Sequence, residues 1–273
     1  MPFLETPTGV TIHYEDSGAG RPLVLVHGWC TSGAVWRFQN PLAAGCRLIT
    51  IDLRGHGRSS SPLSGYGLTD LTDDLVTLFT ELSLADATLL GWSLGAQVVL
   101  AAFPRLRERL SDIVLVGGTP RFTVTDGYDH GLPPSEPRGM GLGVRRDFKK
   151  TMGGFFRQMF APGELSRGQE NLVAREIVMA GRLPDPAVAL ATLEILETTD
   201  LREALSAVDR PVLLVHGTAD SICPPGASRY MARHLPHARL LELEGVGHAP
   251  FMSRPDEFNR ILSDFLGGSD GRH

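Results

Sequence analysis

Short apolar runs alternate along the chain with segments whose apolar positions recur at helical spacing, the pattern of a largely parallel sheet covered by helices. The runs PLVLVHG (from Pro22), CRLITIDL (Cys46), ATLLGW (Ala87), DIVLVGG (Asp112), PVLLVHG (Pro211) and ARLLELEG (Ala238) are leucine-rich or β-branched and bounded by turn residues, and they predict six buried strands. Ahead of them, FLET and VTIHYED flank the turn signal PTG, which predicts an opening hairpin. Between the second and third runs, LTDLTDDLVTLFTELSL sets Leu71, Leu75, Leu78, Phe79 and Leu82 on one helical face, with Thr69 as the expected N-cap. The alternation stops after DIVLVGG. From Thr119 to Thr199, glycine and proline clusters precede helical periodicity with no convincing strand, and PAVALATLEILETTDLREALSAV reads as helix leading back to the sheet. The expected organisation is an α/β core over residues 1–118 and 200–267, a mainly helical lid inserted over residues 119–199, and a disordered glycine-rich tail over residues 268–273.

Composition narrows this picture. A chain of 273 residues with 42% hydrophobic content supplies one substantial core, so the insertion belongs to a single domain. The formal net charge of -5 leaves no excess of positive charge for a nucleic-acid backbone, which excludes broad nucleic-acid binding. The N-terminal MPFLETPTGVTIHYED lacks a basic segment followed by an apolar one, and no stretch reaches the roughly 18 apolar residues of a membrane span. Cys30, Cys46 and Cys223 form no metal-spaced pair, and their odd number argues against a disulfide framework. The expectation is a cytoplasmic monomer without a membrane anchor.

The chemistry starts at GWSLG, where Ser93 follows the strand ATLLGW and precedes the helical LGAQVVLAAF. A sharp strand-to-helix turn strains its central residue and crowds the flanking segments, and Gly91 and Gly95 suit that crowding. The turn also sets Ser93 at a helix N-terminus, where the free N–H of Leu94 favours a developing negative charge. A bare N-capping serine is the plain alternative. A nucleophilic serine needs a base, and strand-end position selects His248, just past the last strand, among nine histidines. His234 and His237 precede that strand, and His216 arrives before the acid expected between serine and histidine. Asp220, after PVLLVHG, meets the requirement for that acid, with Asp126 as fallback. A second oxyanion donor is expected from HGWCTSGAVW: the backbone N–H of Trp29, whose indole also suits an acyl-pocket wall.

Together HGW, DLRGHGRSS, GWSLG, HGTADSICP and GVGHAPF, in this order from Pro22 to Leu266, resemble the α/β-hydrolase superfamily. Within it the chain is most similar to the pimeloyl-acyl-carrier-protein methyl ester esterases of biotin synthesis, through HGW, GWSLG, LEIL with a following DLR, and HAPF with a serine and proline behind it. That family often has glycine where this chain has Cys30, and a second glycine where it has Ala96. The resemblance implies serine hydrolysis of a methyl ester without metal or organic cofactor. It implies acyl-chain contacts from Phe155, Phe156, Arg157, Gln158 and Met159 in the lid, alongside Trp29, Ser93, Leu94 and His248. Phe155, Phe156, Met159 and Phe160 form an apolar cluster suited to an acyl chain, although lid packing accounts for it equally. Arg138, Arg145, Arg146, Lys149, Lys150 and Arg157 face the single acid Asp147 in their stretch, a patch able to steer an acidic carrier protein. A small-ester carboxylesterase and a non-catalytic binding module are the alternative readings.

Overall fold

The apolar runs become strands: β1 (Phe3–Glu5), β2 (Thr11–Gly18), β3 (Pro22–Val26), β4 (Arg47–Ile51), β5 (Ala87–Trp92), β6 (Leu110–Val116), β7 (Val212–Gly217) and β8 (Ala238–Leu243). They are seen in a computed structural model that describes residues 2–173 and 182–269. One eight-stranded sheet joins them in the order β1-β2-β4-β3-β5-β6-β7-β8. The predicted hairpin is β1 against β2, and β2 runs antiparallel to β4. From β4 across to β8 every pairing is parallel. Strands β3, β5, β6 and β7 are buried almost throughout, which is why they read as unbroken apolar runs and not as alternating ones. ARLLELEG departs from the expectation of a buried strand. Only Leu243 of β8 is buried, because this edge strand has β7 as its sole neighbour.

The chain reverses its direction of travel across the sheet between β4-β3 and β5. The crevice beyond the carboxyl ends of β3 and β5 is therefore a topological switch point, where sheets of this kind hold ligands. His27, Gly28 and Trp29 emerge on one side of that crevice, and Ser93 emerges on the other.

Helix α1 (Leu68–Glu81) buries Leu71, Leu75, Leu78 and Phe79 as its periodicity predicts. Its N-cap is Gly67 and not Thr69. The Asp70 carboxylate reaches back to accept the Gly67 N–H at 2.9 Å, so the helix starts two residues earlier than the threonine implied. Helix α2 (Leu94–Leu106) follows Ser93 directly. The insertion carries α3 (Ser135–Arg146), α4 (Phe148–Gln158), α5 (Arg167–Val173) and α6 (Pro186–Thr198). Among its described residues there are isolated bridges at Arg121, Thr123 and Thr125 but no strand, and residues 174–181 of the expected lid lie outside the described ones. The returning helix stops at Thr198 and does not run unbroken to Val208: Asp200 bridges to Arg121, and only a short helical turn, Leu205–Ala207, follows. After α7 (Gly226–His234) and α8 (Pro250–Ser253), α9 (Pro255–Ser269) closes the fold. It takes Gly268 and Ser269 of the expected tail into helix, and the tail residues 270–273 lie outside the described ones. No helix among the described residues is long and apolar enough to cross a membrane.

Beneath the switch point lie two buried histidines, with ring centroids 5.3 Å apart. His27 Nε2 accepts the Leu53 N–H at 3.0 Å, and His56 Nδ1 lies 3.0 Å from the Arg54 carbonyl. Burial lowers the His56 pKa from 6.5 to about 3. The folded protein therefore keeps this imidazole neutral while the unfolded chain protonates it, so its neutral form adds stability above about 6.5 that drains away as the pH falls toward 3. Between pH 7 and pH 5 this group should cost about 2 kcal/mol of unfolding free energy. Urea titrations at both pH values should give His56→Gln a smaller difference than the parent; an equal difference would assign the slope to other groups.

Candidate active site

Ser93 has φ 57° and ψ -116°, a left-handed conformation rare for a residue with a side chain. Its N–H donates to the Val116 carbonyl at 3.0 Å, which ties the turn to β6. The two flanking glycines do different jobs. A Cβ at Gly91 would stand 2.3 Å from the Gly95 carbonyl oxygen, so this glycine lets the first turn of α2 fold back over β5. A Cβ at Gly95 would stand 2.4 Å from the Val26 carbonyl oxygen and 2.7 Å from that of His27, so this one lets α2 abut the end of β3.

At the next strand ends His248 Nδ1 lies 2.7 Å from Asp220 Oδ2, both side chains fully enclosed. The other carboxylate oxygen accepts the N–H groups of Ile222 at 2.8 Å and Cys223 at 2.9 Å. Burial pushes the Asp220 pKa upward, but the charge of His248 and hydrogen bonds from His216 and His248 outweigh it and hold the carboxyl well below the ordinary range. The group is a carboxylate at any working pH. His248 Nε2 is buried and has no protein partner among the described residues, so its lone pair is uncommitted. The competitors fall away on position: Asp126 is exposed in the turn Thr125–Tyr128, and His234 and His237 are exposed.

Three residues to which the sequence reading gave no role in the site complete this cluster: His216, which it set aside as a base, Cys223 and Trp92. His216 sets Nε2 3.1 Å from Asp220 Oδ2 and 2.8 Å from the Cys223 carbonyl, while its Nδ1 meets the Ser228 hydroxyl at 2.5 Å. That network makes Nε2 the protonated nitrogen, so Asp220 accepts from two imidazoles. Cys223 brings its thiol within hydrogen-bonding reach of the Ser93 side chain; burial, with the Asp220 charge, pushes that thiol's pKa far up and keeps it protonated. Trp92 donates its indole N–H to the His248 carbonyl at 2.9 Å, and its ring packs 5.4 Å from the imidazole. The one signal in the sequence for these residues is their place at the ends of β5 and β7.

Across the crevice, the Trp29 indole donates to the Ala189 carbonyl at 2.9 Å and meets Phe155 edge-on at 5.0 Å. The backbone N–H groups of Trp29 and Leu94 meet no protein acceptor among the described residues. Next to Trp29, Cys30 takes φ 54°, which accounts for the glycine common at this position in the family it resembles. Ala96 packs where a Cβ on Gly118 would lie 2.7 Å from its own.

A cavity of about 80 Å³ opens over Ser93. Trp29, Phe122, Met140, Phe155, Leu193 and Ile222 give it apolar walls, and the exposed Glu136, Gln158 and Ser221 stand in its lining as a polar rim. Of the lid residues expected here, Phe155 and Gln158 line it. Phe156, Arg157 and Met159 line a separate groove of about 570 Å³, because consecutive residues near the end of a helix face different ways. Leu94 and His248 are buried and are not among the residues that line the cavity. Arg138, Arg145 and Arg146 on α3, and Lys149, Lys150 and Arg157 on α4, are all exposed and make no ion pair among the described residues. Asp147, the acid in their midst, is occupied as the N-cap of α4, where it accepts the Lys150 N–H at 3.1 Å.

Comparison with known proteins gives the family of the fold. The profile of the family described as alpha/beta hydrolase fold matches residues 21–255. A pimeloyl-[acyl-carrier protein] methyl ester esterase of Nitrosomonas europaea is 35% identical over 91% of this chain and 96% of its own. A putative non-heme chloroperoxidase of Synechocystis is 32% identical over 97% of this chain and all of its own. The solved esterase of Exiguobacterium antarcticum superposes with a TM-score of 0.91 at 28% identity, covering 97% of this chain and 98% of that one.

The glycine geometry is directly testable. Gly95→Ala should lose about 1–3 kcal/mol in urea unfolding because backbone oxygens stand where its methyl group must go. Gly154→Ala in α4, where a Cβ meets nothing within 4 Å, should be neutral or gain up to about 1 kcal/mol.

Proposed function

We propose, from the premise that this chain belongs to the α/β-hydrolase fold family and is a carboxylic ester hydrolase, that Ser93, Asp220 and His248 act as its nucleophile, acid and base. The observation that carries this reading is the buried Asp220–His248 hydrogen bond at the strand ends beside a serine in a strained elbow. His248 Nε2 takes the Ser93 hydroxyl proton as Oγ bonds to the ester carbonyl carbon. The carbonyl oxygen becomes an oxyanion held by the N–H groups of Trp29 and Leu94. Collapse breaks the bond to the alkoxy group, which leaves as the alcohol with the proton from His248. Water, deprotonated by the same nitrogen, then cleaves the acyl-serine and returns the free acid and Ser93. Asp220, held ionised, keeps Nδ1 protonated and stabilises the imidazolium formed in both halves.

The substrate reading is a pimeloyl-[acyl-carrier protein] methyl ester, which yields methanol and the carrier-bound acid in biotin synthesis. The curated relatives' names support it, as do the apolar cavity with its polar rim and the unpaired cations of α3 and α4, which suit an acidic carrier. In this reading residues 119–199 serve as the lid. Three unpaired cysteines fit a reducing, cytoplasmic setting. The small volume of the cavity favours a second reading, a carboxylesterase of short acyl esters.

Ser93→Ala should lower kcat by about 10⁶ and abolish covalent labelling by a fluorophosphonate, read by mass spectrometry; full activity in this variant would overturn the assignment. Reversing charge at Arg145 and Arg146 should lower kcat/KM on a carrier-bound methyl ester about 10-fold or more at low salt, and leave a short nitrophenyl ester unaffected. Equal effects on both substrates would favour the short-chain reading.

A further inference from the structure

Beyond α4 the chain does not simply lead away from the lid: residues Met159 to Glu164 cross over the loop that carries His248. The contact is made by backbone amides of that loop on one backbone carbonyl and one side-chain carboxylate of the strap. The His248 N–H donates to the Met159 carbonyl at 2.7 Å, and the preceding N–H, that of Gly247, donates to Glu164 Oε2 at 2.8 Å. The same Oε2 accepts the Ala161 N–H at 2.6 Å, and the Glu164 N–H closes a turn onto the Ala161 carbonyl at 3.0 Å. Nothing larger than glycine fits at Gly247. A Cβ there would lie 2.5 Å from the Met159 oxygen and 2.9 Å from both Ala161 N and Phe160 Cα.

We propose that Glu164 is a positioning residue for His248: one carboxylate oxygen clamps the lid strap to the Gly247 amide and thereby sets the orientation of the imidazole. The inference rests on His248 acting as the base, as read above. Two successive amides, those of Gly247 and His248, are held by the strap on the amino side, and the Trp92 indole holds the His248 carbonyl on the other. With the peptide fixed at both ends and Nδ1 held by Asp220, the ring has one direction left for Nε2. The strap belongs to the inserted segment and the histidine to the core, so the insertion contributes to the chemical step as well as to substrate choice. Oxygen acceptance is the feature required, not charge. A glutamine carbonyl can take both N–H donors, an alanine takes neither, and an aspartate is one methylene too short to span from Ala161 to Gly247.

The test uses the full chain and a short nitrophenyl ester, which needs no carrier. Glu164→Ala should lower kcat about 10-fold to 100-fold with KM within about 2-fold, and should slow fluorophosphonate labelling of Ser93 by the same factor. Glu164→Gln should restore both rates to within about 3-fold of the parent. Where the alanine variant fails to fold, Glu164→Asp serves in its place with the same expected losses. Parental labelling and turnover in Glu164→Ala or Glu164→Asp would overturn the proposal, as would a glutamine variant as slow as alanine. Ser93→Ala, run in parallel, separates the two readings. If it keeps hydrolysing the ester, the serine mechanism fails and the clamp with it; if it is inactive while Glu164→Ala is at full rate, the clamp alone fails.

Discussion

The constraint on which the site depends is the approach of the first turn of α2 to the carbonyl oxygens at the end of β3, where position 95 has no room for a single carbon. That contact fixes the angle at which β5 gives way to helix, and the angle puts Ser93 at φ 57°, at a cost of order 1–3 kcal/mol. The buried strands β3, β5, β6 and β7 meet this cost through their apolar contacts, so a relaxed turn would require the sheet itself to separate. Once the serine is fixed there, its partners must come from the same edge of the sheet. Trp29 arrives from β3, Asp220 from β7 and His248 from beyond β8.

Electrostatics at this edge follow from burial. Among the described residues Asp220 pairs with no arginine or lysine: two imidazoles and two backbone N–H groups satisfy the carboxylate. The negative charge of Asp220, with no fixed cation beside it among the described residues, suits a positive charge developing on the adjacent imidazole in the proposed mechanism. The neighbouring Cys223 and Cys30 thiols are pushed upward by burial and remain protonated, so the site holds a thiol beside the serine without a competing thiolate.

The places of Ser93, Asp220 and His248 were legible in the sequence because each is announced by a steric or positional requirement: small residues around an elbow after β5, and positions just past β7 and β8. The central runs β3, β5, β6 and β7 were legible for a similar reason, since strands buried on both faces must be continuously apolar, whereas the hairpin was announced by its turn residues. Other features leave no such trace. Trp92 and Glu164 bond to backbone atoms of residues far along the chain, and no pattern of side chains records a backbone partner. His216 looked like a rival base but sits on the acid as a donor, a distinction of hydrogen-bond direction that residue order does not carry. Thr69 gave way to Gly67 because the carboxylate of Asp70 reached the helix start first. The lid residues expected to act together parted between two cavities, since a run of five successive residues near a helix end cannot share one face.

The charges of α3 and α4 have a consequence that reaches past any single contact. The stretch from Arg138 to Arg157 carries a formal +5, so the remainder of a chain with net charge -5 carries -10. The molecule thus carries its charge unevenly, with a positive excess on α3 and α4, the helices that also contribute Met140 and Phe155 to the cavity. In the field of an anionic body it is turned before it is touched, with torque acting over roughly a Debye length of about 8 Å or more. Random tumbling then becomes a biased search in which the productive face leads, and ionic strength sets how strongly that bias holds.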